Sequence, residues 1–74
     1  MTEKNLNKIL ELYDQFEELQ RTYIGLHRMS VDYDVRLTHI KNIAKIYLKD
    51  DPYMLLLFPD QNFKKEFKKK YNLK

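Results

Sequence analysis

Gly25-Leu26-His27-Arg28-Met29-Ser30-Val31-Asp32-Tyr33-Asp34 decides whether this chain is one very long helix or a folded hairpin. Before it, Ile9, Leu12, Phe16, Leu19, Tyr23 and Leu26 alternate at spacings of three and four, which places them on one helical stripe. Beyond it, Tyr33, Leu37, Ile40, Ala44 and Tyr47 continue the same register through Ser30, so an unbroken helix would satisfy the pattern. Gly25 weakens a helix interior, however, and Ser30, Asp32 and Asp34 then offer three successive N-cap residues. A hairpin is the better reading. Its first helix is expected from about residue 3 to residue 28 with Thr2 as N-cap, and its second from between Ser30 and Asp34 to near Lys49. A competing signal is the strand-like alternation of Val31, Tyr33, Val35 and Leu37 with Asp32, Asp34, Arg36 and Thr38. Such a strand over residues 31–38 would have to pair across a dimer.

Working outward, Leu6, Leu10, Tyr13 and Ile24 widen the first stripe, as expected of a helix packed against more than one neighbour. After the hairpin, Asp51-Pro52 reads as an N-cap followed by Pro at the first helical position, where its missing N–H costs nothing. Pro59 disfavours helical geometry at Phe58 and should end this short third helix. Asp60 then caps a fourth, from about Gln61 to Tyr71, with Phe63, Phe67 and Tyr71 inward and Lys64, Lys65, Lys68 and Lys69 outward. The expected fold is a single all-α domain over residues 1–74: a helical hairpin plus two short C-terminal helices, paired as a homodimer.

Composition supports that picture. One Gly, two Pro and one Ala stand against eleven Leu, eleven Lys and six Tyr, which leaves little material for loops. A chain of 74 residues buries only about 60% of its unfolded surface. With no Cys, neither disulfides nor Cys-ligated metal can supplement its stability, so oligomerisation or partner binding is the expected supplement. The polar start Met1-Thr2-Glu3-Lys4-Asn5 is not followed by the apolar core of a signal peptide, and a cytoplasmic protein is expected.

No catalytic pattern stands out. His27 and His39 lie on different predicted helices, and no nearby pair has metal-ligand spacing. Ser30 beside His27 lacks a Gly-rich oxyanion turn, and Gly25 alone makes no phosphate loop. Neither an enzyme nor a cofactor or metal site is expected.

Charge is segregated along the chain. Residues 1–34 carry four Lys/Arg and seven Asp/Glu, whereas residues 35–74 carry ten and four. Glu11, Asp14, Glu17 and Glu18 form an acidic block, read either as a solvated face with Glu17 pairing to Arg21 or as a patch that docks on a basic surface. Lys41, Lys45 and Lys49 line one face of the second helix, and Lys64, Lys65, Lys68, Lys69, Lys70 and Lys74 add six more charges opposed only by Glu66. Nucleic acid is the sharp reading of these lysines. Against it, lysines near helix C-termini also complement the macrodipole, and Arg is absent beyond Arg36.

Met54-Leu55-Leu56-Leu57-Phe58 is the longest apolar run and far too short for the roughly 20 residues of a membrane span. Five consecutive apolar side chains point all around a helix, so one side should stay uncovered in so small a monomer. The run reads either as a short buried helix completing the core or as a contact surface, with Tyr53, Met54, Leu55, Leu57 and Phe58 the candidate dimer or partner contact.

The run ends in Leu57-Phe58 with Leu55 two places earlier, which resembles the linear motif with which bacterial replication proteins bind the sliding clamp: Gln, Leu, a small or acidic residue, Leu, Phe. Met54 stands where the motif has Gln, and Leu56 takes its variable position. The short, Lys-, Asn-, Ile- and Tyr-rich, cysteine-free helical profile is also similar to small bacteriophage proteins that disable host machinery, among them inhibitors of the replicative sliding clamp. This resemblance implies an inhibitor acting in the bacterial cytoplasm, here in the dimeric form expected from the small core and the apolar run. Its acidic helix would face the clamp's basic DNA channel, Leu57 and Phe58 would fill the clamp's apolar pocket with Leu55 beside them, and the basic end would face away from that channel or contact acidic parts of the target. The alternative is a small nucleic-acid-binding regulator using Lys41, Lys45, Lys49 and the Lys64 to Lys70 cluster.

Overall fold

The computed structural model describes residues 2–73, and Lys74 of the basic cluster lies outside them. The chain forms α1 (Glu3–Thr22), a 3-10 helix (Gly25–Met29), α2 (Val31–Tyr47), α3 (Pro52–Leu57) and α4 (Phe63–Lys70). The all-α class and the hairpin stand, and the described residues contain no strand. Residues 31–38 open α2 instead. Their alternation falls on the first two turns of a helix whose N-cap is Ser30, the hydroxyl of which accepts the Tyr33 N–H at 3.1 Å; Tyr33 and Leu37, four apart, turn inward while Val31 and Val35 stay exposed.

α1 is shorter than its stripe predicts. It starts on the Thr2 cap as expected, but stops at Thr22 rather than near residue 28. Tyr23 turns extended and Gly25 adopts φ +59°, a left-handed geometry that costs an L-residue about 1–2 kcal/mol but suits glycine. Arg28 then folds back, donating from Nε to the Tyr23 carbonyl at 2.7 Å and from Nη2 to the Gln20 carbonyl at 3.0 Å. A guanidinium thus satisfies carbonyls left open at the end of α1, where positive charge also complements the helix dipole. The hairpin is closed by Gln20 donating to the Tyr33 hydroxyl at 2.8 Å and by Tyr23 donating to the Asp32 carboxylate.

The core follows the period of α1. Leu6, Ile9, Leu12, Tyr13, Phe16 and Leu19 are buried against Tyr33, Ile40, Ala44 and Leu48, with Leu10, Tyr23, Leu37 and Tyr47 half-buried at its edge. The second half of the chain closes this core with Met54, Phe58, Phe63 and Phe67. Tyr13, Phe58 and Phe63 pack within 5.0–5.7 Å of one another, in stacked and edge-on arrangements favoured by the ring quadrupoles. The Tyr13 hydroxyl donates to the Asp60 carbonyl at 2.7 Å, pinning the α3–α4 link onto α1.

Two expectations about that link need correction. Phe58 keeps helical dihedrals (φ −51°, ψ −43°) although Pro59 follows, because burial of its ring in the aromatic cluster outweighs the steric preference. α4 begins at Phe63 rather than Gln61, and Asp60 is not its cap. Its carboxylate accepts the Asn62 N–H at 2.8 Å in a tight turn, and Asn62 takes the N-cap position without a side-chain bond. α4 ends on Asn72 at φ +56°, with the Leu73 N–H reaching the Lys68 carbonyl at 2.8 Å, a Schellman-type stop.

Asp51 caps α3 as expected, accepting the Met54 N–H at 3.2 Å. It also receives Lys70 Nζ at 2.6 Å and the Tyr71 hydroxyl at 2.5 Å while being only 5% exposed. Burial opposes its ionisation, but the Lys70, Tyr71 and Met54 hydrogen bonds outweigh that and hold the carboxyl below its usual range. Burial, and then donation to Asp51, push Tyr71 from 10.0 up to about 12. The fold therefore favours the neutral phenol. Its contribution is complete below pH 10 and is lost as pH climbs from 10 towards 12. Thermal melts over that interval should fall more steeply for the wild type than for Tyr71→Phe, and parallel curves would show that Tyr71 is not coupled to folding.

Candidate functional site

The apolar run divides by face once α3 is in place. Met54 and Phe58 are each 1% exposed and belong to the core. Leu55 and Leu57 are half-buried, while Leu56 and Tyr53 are 81% and 61% exposed. The uncovered side expected from an all-round apolar helix is thus present, but its exposed centre is Leu56, not Leu57-Phe58. Phe58, the expected pocket-filling residue of the clamp-like ending, points into its own protein and packs on Tyr13, Phe16 and Phe63.

The exposed side of α3 meets the lysine stripe of α2. Lys41, Ala44 and Lys45 face Leu55, Leu56, Phe58 and Pro59 across a groove of about 220 Å³. Two residue sets that the sequence presents separately, the apolar run and the basic helix face, are therefore walls of one feature. Ala44 supplies only a methyl group on the α2 side, which is why the groove stays open between two helices bearing larger side chains. Lys41, Lys45 and Lys49 are exposed at successive turns, and none has an ion-pair partner among the described residues.

The acidic block is more neutralised than its sequence indicates. Glu11, Asp14 and Glu18 are exposed on α1 and Glu17 is half-buried, but bases stand against all four. Lys64 reaches from α4 to Asp14 at 2.5 Å and to Glu17 at 3.9 Å, Arg21 pairs with Glu18 at 2.7 Å, and Lys8 lies 3.9 Å from Glu11. The expected Glu17–Arg21 pair is replaced by Glu18–Arg21, three residues apart instead of four. Lys64 consequently does not point outward. The hydrogen bond to Asp14 holds its ammonium above its usual range. Lys70 is likewise engaged, by Asp51, which leaves Lys65, Lys68 and Lys69 as the α4 lysines without ion pairs among the described residues.

A second surface is absent from any sequence-based site. Ile24, Leu26, Met29, Val31 and Val35 are 61–84% exposed and gather where the hairpin turns. Ile24 and Leu26 were expected to face inward on the α1 stripe. Because α1 stops at Thr22, that register no longer governs them, and no residue of the following 3-10 helix is buried. The signal that could have revealed this apolar cap is Gly25 with Arg28 three places later: a left-handed break and a cation positioned to close the preceding helix.

Among the described residues, no three His, Asp or Glu side chains gather into a possible metal site, and no helix is long and apolar enough to cross a membrane. Comparison of the chain with protein-family models, curated proteins and solved structures finds no match.

The division of the run is directly measurable. Phe58→Ala should destabilise the fold by about 3–5 kcal/mol in urea unfolding, whereas Leu56→Ala should stay within about 0.5 kcal/mol of wild type. Equal effects would contradict the assignment of faces on α3.

Proposed function

We propose that this protein acts by binding another protein, as a small inhibitor does, and that it works as a homodimer. The observation that carries this reading is the apolar surface left outside the core: Tyr53 and Leu56 on α3, Ile46 on α2, and the five residues of the cap. Contiguous exposed apolar patches on soluble domains mark contact surfaces.

The cap is the better self-association face. Its sequence from Ile24 to Val35 carries only Arg28, Asp32 and Asp34 as formal charges, so two copies can approach there without the repulsion that the lysine-bearing faces of α2 and α4 would impose. Pairing would also cover a 3-10 helix that buries nothing in one protomer. Sedimentation should report a dimer for the wild type and a monomer for Leu26→Glu with Met29→Glu, with unchanged helical circular dichroism because both side chains are exposed. A wild-type monomer at every concentration tested rules out the dimer.

The sequence resemblance names the bacterial replicative sliding clamp as the target. What supports it in the folded protein is the α1 face bearing Glu11, Asp14, Glu17 and Glu18, although nearby bases reduce its negative field. The Leu57-Phe58 ending lends less support, since Phe58 is interior. On this reading the protein co-elutes with purified clamp on gel filtration and prevents its loading onto DNA. Independent elution of the two excludes the clamp as target while leaving protein binding intact.

Nucleic-acid binding is favoured by one observation, the unpaired lysines of α2, and its competition with protein binding turns on the groove beside them.

A further inference from the structure

We propose that the groove between α2 and α3 receives an acidic helical segment of the partner protein. An aliphatic or aromatic side chain of that segment seats against Leu55, Leu56 and Pro59, and its carboxylates meet Lys41 and Lys45. This inference rests on the protein-binding reading and names the chemistry of the contact.

The groove holds about 220 Å³, below the roughly 300–1,000 Å³ of pockets that enclose small-molecule ligands. Its size suits one anchoring side chain projecting from a larger partner. The floor is apolar, with the Phe58 ring beneath and Leu56 standing 81% exposed at the rim. The α2 wall is cationic, and Lys41 and Lys45 lie four residues apart, just over one helical turn and about 6 Å along the axis. Carboxylates at i and i+4 on a facing helix have a matching rise, and ammonium groups on flexible stems adapt to them without the fixed geometry that a guanidinium demands.

Among the described residues, no carboxylate pairs with these lysines. Asp51 holds Lys70 and Tyr71, while Asp14 and Glu17 hold Lys64. The positive charge is therefore available to a partner and complementary to an acidic one. A nucleic acid would use the charge but not the apolar rim, and no Arg follows Arg36 to supply bidentate base contacts. The combination of an apolar floor with a cationic wall selects a peptide bearing both anchors and acids.

The test is fluorescence anisotropy with a fluorescein-labelled synthetic helical peptide carrying Leu anchors and Glu residues four apart. The same peptide with Lys in place of Glu, and a labelled DNA duplex, serve as comparisons. The acidic peptide should bind wild type, bind Lys41→Glu with Lys45→Glu about tenfold or more weakly, and lose severalfold affinity to Leu56→Ser. All three side chains are exposed, so unchanged circular dichroism will certify the fold. No binding, or equal binding of the Lys peptide, overturns the proposal. Tighter DNA binding that depends on the lysines but ignores Leu56→Ser overturns it in favour of a nucleic-acid surface. If the groove proposal alone fails, the cap variant still alters sedimentation; if the protein-binding reading fails, neither experiment responds.

Discussion

The Asp51 carboxylate sits where the end of α2, the start of α3 and the end of α4 converge, and each of those elements leans on it. Its backbone N–H bonds to the Leu48 carbonyl at 3.0 Å, one carboxylate oxygen caps α3, and the other receives both Lys70 and Tyr71. The pair is half-buried, with Asp51 inside and the Lys70 side chain 46% exposed, and desolvation of the carboxylate offsets much of its attraction. What it provides here is position. By fixing the start of α3, Asp51 turns Met54 and Phe58 inward and leaves Leu56 facing the lysines of α2. The same contact draws the end of α4 back, so Phe63 and Phe67 complete the core. The groove is thus a consequence of how one side chain is satisfied.

Much of this fold could be read from periodicity. The α1 stripe from Leu6 to Leu19, the Ser30 cap, the Asp51-Pro52 start of α3 and the inward Phe63 and Phe67 all express local rules that tertiary packing reinforces. Misreadings arose where a distant group overrode a local preference. Arg28 and the left-handed Gly25 end α1 six residues early, and an aromatic cluster keeps Phe58 helical in front of a proline. The candidate site was legible in its parts but not in its assembly. Lys41 and Lys45 stood out as a basic stripe and Leu55 to Phe58 as an apolar run, yet no spacing rule says that α3 packs beside that stripe. The cap is legible only from the break at Gly25 and Arg28, because the α1 period alone carries Ile24 and Leu26 into a helix that does not reach them.

Segregation of charge in the sequence does not survive as a simple dipole in space. Lys64 crosses from α4 to the acidic block of α1, and Arg21 and Lys8 stand against two more of its acids. Exposed pairs of this kind contribute about 0–1 kcal/mol each, so their larger effect is to dilute the negative field of α1. Among the described residues, Lys41 and Lys45 of α2, and Lys49 just beyond it, have no such opposition. Uncompensated positive charge therefore borders the apolar groove, which lets long-range attraction and short-range packing act on the same partner.

The bond from the Tyr13 hydroxyl to the Asp60 carbonyl joins residues 47 positions apart, whereas Gln20 and Tyr33 are separated by only 13. Loop-closure entropy rises with separation, so the topology favours an order of assembly in which the α1–α2 hairpin forms first and α3–α4 fold back afterwards. During synthesis the hairpin also emerges first, with Tyr13 and Phe16 lacking the rings that later cover them. For that interval α1 presents an open aromatic slot, and Phe58 and Phe63, arriving late from the same chain, are the residues shaped to close it.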